Sequence, residues 1–81
     1  MPSAIVLLST ASGTEKSVLN HLRAHEGIQE AYMVQSAFDI IVTVKAETFE
    51  KLTSIISKIK LYALNPLSIV TMLIVEGSVT G

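Results

Sequence analysis

The sequence predicts an α+β fold of order β-α-β-β-α-β, closed into a four-stranded antiparallel sheet with both helices on one face. Three observations carry this. Two β-branched, apolar runs flank a short polar break between Ile28 and Lys45 and read as a hairpin. Two segments with apolar residues at helical spacing stand on either side of it, each preceded by a candidate cap. Short apolar runs open and close the chain, at Ala4 to Leu8 and Ile69 to Val75.

The elements follow in order. Ala4 to Leu8 is the first strand, and Ser9 to Gly13 switches to small residues suited to a turn. Ser12-Gly13-Thr14-Glu15 matches the S-x-x-E capping box, in which hydroxyl and carboxylate satisfy backbone donors reciprocally at a helix start. Val18, Leu19 and Leu22 give the ensuing helix one apolar face, and Gly27 suits the left-handed turn that ends it. Ile28 to Gln35 and Phe38 to Lys45 are the hairpin strands. Thr48 caps the second helix, whose apolar residues are Phe49, Leu52, Ile55, Ile56 and Ile59. Asn65-Pro66 stops that helix, because proline disfavours a helical residue before it. Ile69 to Val75 is the last strand, and Gly77 to Gly81 reads as a frayed tail. With right-handed crossovers this order gives the ferredoxin-like arrangement, as one domain over residues 1–81.

An 81-residue chain buries only about 60% of its unfolded surface, so a lone subunit is marginally stable. With no cysteine, neither a disulfide nor a thiolate metal site supplements the core. The chain is 49% hydrophobic and only 16% charged. The strands are apolar at consecutive positions: Val6 and Leu8 oppose Ile5 and Leu7, Ile41 opposes Ile40 and Val42, and Leu73 and Val75 oppose Met72 and Ile74. Helices can cover only one face, so the other is expected to pack on the sheet of a second copy.

Net charge is −1, and the six Lys and Arg residues are scattered, which argues against direct nucleic-acid binding. The apolar runs are too short for a membrane span and no targeting segment opens the chain, so a soluble cytoplasmic protein is expected. The four glycines are isolated and form no phosphate loop, and no nucleophile and base recur in a catalytic pattern, so neither an enzyme nor a cofactor is expected. His21 and His25, at i and i+4 on the first helix, lack an obvious third ligand and read as a solvated face near the helix end rather than a metal site.

The segment Glu30-Ala31-Tyr32-Met33-Val34-Gln35-Ser36-Ala37-Phe38-Asp39-Ile40-Ile41-Val42 closely resembles the E-x-Y-x-V-x-G-x-[YF]-D hairpin of the effector-binding domain of the leucine-responsive regulator/asparagine-regulator (Lrp/AsnC) family. The likeness extends through Leu22 to Ile28 and to the strand Thr71 to Val75. It implies a stand-alone form of that module, without the family's DNA-binding domain, which dimerises sheet to sheet and assembles into rings. An amino acid or related metabolite would bind between dimers, near the hairpin loop and the last strand. The positions that match are Ser36, Ala37, Phe38, Asp39 and Thr71. Ser36 replaces the family's glycine, and Ile69 replaces the first threonine of a T-x-T. Asp39 would accept hydrogen bonds from a ligand ammonium group or brace the hairpin backbone. Two other readings share this architecture. One is an assembly partner of full-length regulators that takes no ligand. The other is a small dimeric α/β-barrel enzyme such as a cofactor-independent monooxygenase, which would need polar residues inside its cavity.

Overall fold

A computed structural model describes residues 1–64 and 66–74. Its element order is β1 (Ser3–Ser9), α1 (Glu15–Arg23), β2 (Ile28–Met33), β3 (Ile40–Lys45), α2 (Phe49–Tyr62) and β4 (Ser68–Ile74). The strands form one antiparallel sheet of order β2-β3-β1-β4, the expected ferredoxin-like topology. Val75 and the segment Gly77 to Gly81 lie outside the described residues, as does Asn65.

Strand periodicity decides which side chains enter the core. Ala4, Val6 and Leu8 on β1, Ile40, Val42 and Val44 on β3, and Ala31 on β2 are buried on the helical face. They meet Val18, Leu19 and Leu22 of α1 and Leu52 and Ile59 of α2, as the helical spacing predicts. Truncating a fully buried member such as Leu8 or Leu22 to alanine costs about 2–5 kcal/mol, transfer and cavity terms together. Phe49, expected on the apolar face of α2, is instead 57% exposed at its first position, so the core begins at Leu52.

The helix ends differ from expectation in instructive ways. Thr48 caps α2 as predicted, its hydroxyl accepting from the Lys51 N–H at 3.1 Å. At α1 the capping box is only half realised. Thr14, not Ser12, is the cap residue, with no side-chain cap bond. Its hydroxyl donates back to the Ala11 carbonyl at 2.6 Å, and the Glu15 carboxylate accepts from the Gly13 N–H. The α2 helix stops at Tyr62, before Pro66, with Leu64 at a φ of +55°. Gly27 has the expected left-handed backbone (φ +93°) but does not end α1, which stops at Arg23 with Ala24 as its cap; it turns the chain into β2, where a Cβ would sit 2.6 Å from Ile55 Cδ1.

The hairpin strands are shorter than predicted, ending at Met33 and resuming at Ile40. Asp39 still bonds across the hairpin, its carbonyl accepting from the Val34 N–H, while its own N–H donates to the Leu8 carbonyl of β1, both at 2.8 Å. At the outer edge of β2, Arg23 donates to the Ala31 carbonyl from Nε (3.2 Å) and Nη2 (2.8 Å). A register shift between Ile28 and Glu30 further breaks that strand.

The second face of the sheet carries Ile5, Leu7, Tyr32, Ile41, Val70, Met72 and Ile74, and no helix covers it. None of these residues is buried. The doubly apolar strands are therefore real, and one of their faces lacks a partner among the described residues.

Candidate functional site

The hairpin loop is positioned by β1 as much as by its own strands. Asp39, half-buried, accepts the Thr10 N–H through Oδ2 at 2.9 Å, where β1 gives way to the turn before α1. Oδ1 makes no hydrogen bond among the described residues. The carboxylate thus braces the fold through one oxygen, the backbone-bracing role expected as one of two for Asp39.

Ser36 does not take a left-handed backbone, since Leu64 is the only non-glycine with positive φ among the described residues. Its Oγ instead accepts the Phe38 N–H at 3.1 Å and lies 3.3 Å from the Phe38 carbonyl, a local side-chain turn. The serine that replaces the family glycine is therefore unstrained, and its hydroxyl is occupied by the loop. Ala37 is exposed and its carbonyl accepts from Ser9 Oγ at 3.4 Å, while Phe38 is half-buried.

Thr71 lies elsewhere. It pairs with Val6 on β4 and so shares the helical face, whereas Asp39 sits level with Ser9 at the end of β3. Two strand spacings across the sheet and three residues along it separate them, each about 10 Å. Within one chain β1 therefore stands between the two positions. Thr71 instead lines a cleft of about 440 Å³ between α2 and β4, with Thr53, Ile56, Ser57, Lys60, Ile69 and Leu73.

Thr10 was not singled out from the sequence. It is 6% exposed and its Oγ1 has no partner among the described residues. The signal was present: Thr10 continues the Ala4, Val6, Leu8 series of inward positions, so a hydroxyl there enters the core beneath the loop.

Tyr32 stands on the uncovered face and donates to the Glu30 carboxylate two residues away. That hydrogen bond is the main cause of a phenol pKa raised above the ordinary tyrosine value, so the ring stays neutral in neutral solution.

The histidines do not share a ligand direction. The ring of His21 places Nδ1 2.9 Å from the Ser17 carbonyl. His25 lies past the Ala24 cap of α1 and stacks on Tyr62, with centroids 3.4 Å apart, so it is not the freely solvated helix residue expected. Among the described residues no three His, Asp or Glu side chains converge as a metal site would need. Nor are the cations wholly scattered. Lys45, Lys51 and Lys58, three of the six, line one cleft beside His25 and Tyr62, but Glu26 and Glu47 share it and Glu47 pairs with Lys51 at 3.5 Å. No uninterrupted basic face results. No helix among the described residues is long and apolar enough to cross a membrane.

With this geometry in hand, comparison with known proteins is decisive. The family model described as the Lrp/AsnC ligand binding domain matches residues 3–79. The chain belongs to the Lrp/AsnC family. Among solved structures, this Lrp/AsnC domain is similar to the hypothetical protein PHS023 from Pyrococcus horikoshii, at 29% identity and a TM-score of 0.83 over 96% of this chain and 94% of that one. It is also similar to FFRP-DM1, at 32% identity and a TM-score of 0.81 over 93% of this chain and 100% of that one. E. coli AsnC shares the fold at 14% identity and a TM-score of 0.80, over 99% of this chain but 54% of that protein. No protein of curated function matches the sequence.

Proposed function

We propose that this Lrp/AsnC domain is a sensing and oligomerisation module. Its subunits dimerise through the uncovered sheet face, dimers assemble into rings, and an amino acid or related metabolite binds between dimers. The separation of Asp39 and the loop from Thr71 carries this reading. A ligand held by Ser36, Ala37, Phe38 and Asp39 on one side and Thr71 on the other would join two copies of the chain, since within one copy β1 stands between these positions. Binding then favours the assembly that contains the site, which is how a small molecule would alter full-length Lrp/AsnC regulators that share the same surfaces.

The core supports a sensor over an enzyme. Among the described residues only Thr10 is a buried polar side chain between sheet and helices, and its hydroxyl has neither an acid nor a base as partner.

The test is thermal unfolding of the purified protein against each amino acid at millimolar concentration. A ligand at 100 times its Kd adds about 2.7 kcal/mol to stability. A selective upward shift is expected with one amino acid or a narrow group. No shift with any of them would overturn the sensor reading in favour of an assembly partner without ligand.

A further inference from the structure

We infer that the cleft between the end of α1 and the flank of α2 that faces it binds a sugar phosphate, free or as part of a nucleotide. Lys45 and Lys58 hold the phosphate, and Glu26 and Glu47 accept from the hydroxyls. This site is separate from the one proposed between the hairpin loop and Thr71, and it does not rest on that reading.

Three elements build the cleft. α2 contributes Lys51, Ser54, Ile55, Lys58 and Tyr62, which recur at i, i+3, i+4, i+7 and i+11 and so share one face of the helix. The turn after α1 brings His25, Glu26 and Gly27 against that face, close enough that a Cβ on Gly27 would lie 2.6 Å from Ile55 Cδ1. The end of β3 and its connection to α2 supply Lys45 and Glu47. About 650 Å³ lies between these elements, within the range of small-molecule clefts.

Donors outnumber acids there. Lys45 and Lys58 have no carboxylate partner among the described residues. Lys51 holds Glu47 at 3.5 Å, but side-chain exposures of 64% and 73% make that pair weak and easily exchanged. Neither the His25 ring nitrogens nor the Tyr62 hydroxyl makes a hydrogen bond among the described residues. A phosphate, with its charge and several acceptor oxygens, satisfies that set better than a single carboxylate does. Glu26 and Glu47 would repel a bare anion, yet each carboxylate is an acceptor for hydroxyl groups. The ligand that suits both therefore joins a phosphate to a hydroxyl-bearing body. His25 stacked on Tyr62, with centroids 3.4 Å apart, gives that body an aromatic wall for its C–H groups. A nucleic-acid strand fits worse, because the three lysines share one cleft with two acids and offer a polymer backbone no continuous track.

The test is calorimetric titration of the full chain with ribose 5-phosphate, adenosine monophosphate, ribose and inorganic phosphate. Ribose 5-phosphate is expected to bind at least roughly tenfold more tightly than ribose or inorganic phosphate alone. Lys45→Ala and Lys58→Ala should each weaken it by about tenfold. Lys60→Ala, in the cleft on the other flank of α2, should leave it unchanged. Glu26→Gln removes a repelling charge, so it should strengthen inorganic phosphate and narrow the advantage of the ester. Tighter binding of adenosine monophosphate would support the assignment with a nucleotide as the source, and equal or weaker binding would support it with the free sugar phosphate. Inorganic phosphate that binds as well as the esters, or unchanged affinity in both Lys45→Ala and Lys58→Ala, would overturn it. So would the absence of binding by either ester at millimolar concentration, or capture of a polyglutamate peptide in their place, which would make the cleft a protein contact. Neither lysine is among the residues proposed to hold an amino acid, so the sensor reading stands or falls separately.

Discussion

Asp39 has a fold role that experiment can separate from the ligand role proposed for it. Its Oδ2 accepts the Thr10 N–H. Asp39→Ala leaves that donor without its partner and should lower stability by about 1–3 kcal/mol in urea unfolding. Asp39→Asn keeps an amide oxygen in the same place and should recover most of the loss. The charge does not return with it, so the asparagine variant should stay folded and still bind an amino acid at least tenfold more weakly. If both variants bind as well as the parent, the carboxylate is structural only. Asp39 itself was legible in the sequence as the acid at the end of a hairpin break. Its partner was not, because Thr10 is 29 residues away and the bond runs to a backbone N–H, which leaves no mark in residue type.

At the scale of elements, the strands and helices were legible wherever periodicity and burial agree. The inward series on β1 and β3 fell where alternation placed them, and the stripe on α2 did so from Leu52 onward but not at Phe49. The ends were read less well because several local solutions compete there. Ser12 and Thr14 both offer a hydroxyl to α1, and Thr14 prevails as cap residue while its side chain turns back to Ala11. The hairpin ladder ends after the Met33–Ile40 pair, and in the loop the Ser36 hydroxyl takes the Phe38 N–H. Gly27 gives a prediction at this level. Gly13 has φ +90° with no atom within 4 Å of a Cβ, so Gly13→Ala should cost only the left-handed penalty, about 1–2 kcal/mol. Gly27→Ala adds a collision with Ile55 to the same penalty and should be the more destabilising in paired urea titrations. Equal losses would show that Ile55 turns aside at no cost.

For the whole molecule, the governing fact is an apolar sheet with helices on one side only. The pattern was readable from sequence because β-strands of a half-solvated sheet should alternate in polarity, and Ile5, Leu7 and Ile41 do not. The separation of Thr71 from the loop was not readable. A linear motif carries no strand order, and β1 stands between the two. Ile41 lies beside Leu7 and Tyr32 on the uncovered face. Ile41→Asp should therefore yield a monomer in sedimentation at micromolar concentration, with a much lower unfolding midpoint than the parent. A dimer that persists would mean that the subunits join elsewhere.

The two edges of the sheet are unequal. Arg23 holds the Ala31 carbonyl at the β2 edge, and the register shift after Ile28 spoils the repeat that an incoming strand would follow. β4 at the other edge runs from Ser68 to Ile74 with no charged residue and no proline. Filament growth by strand addition consumes two free edges per molecule, one to receive and one to offer. A chain with a single receptive edge can pair only with the same edge of another copy, so growth ends after one step. With the guanidinium on the Ala31 carbonyl, the β2 edge is a poor receiver for an incoming strand.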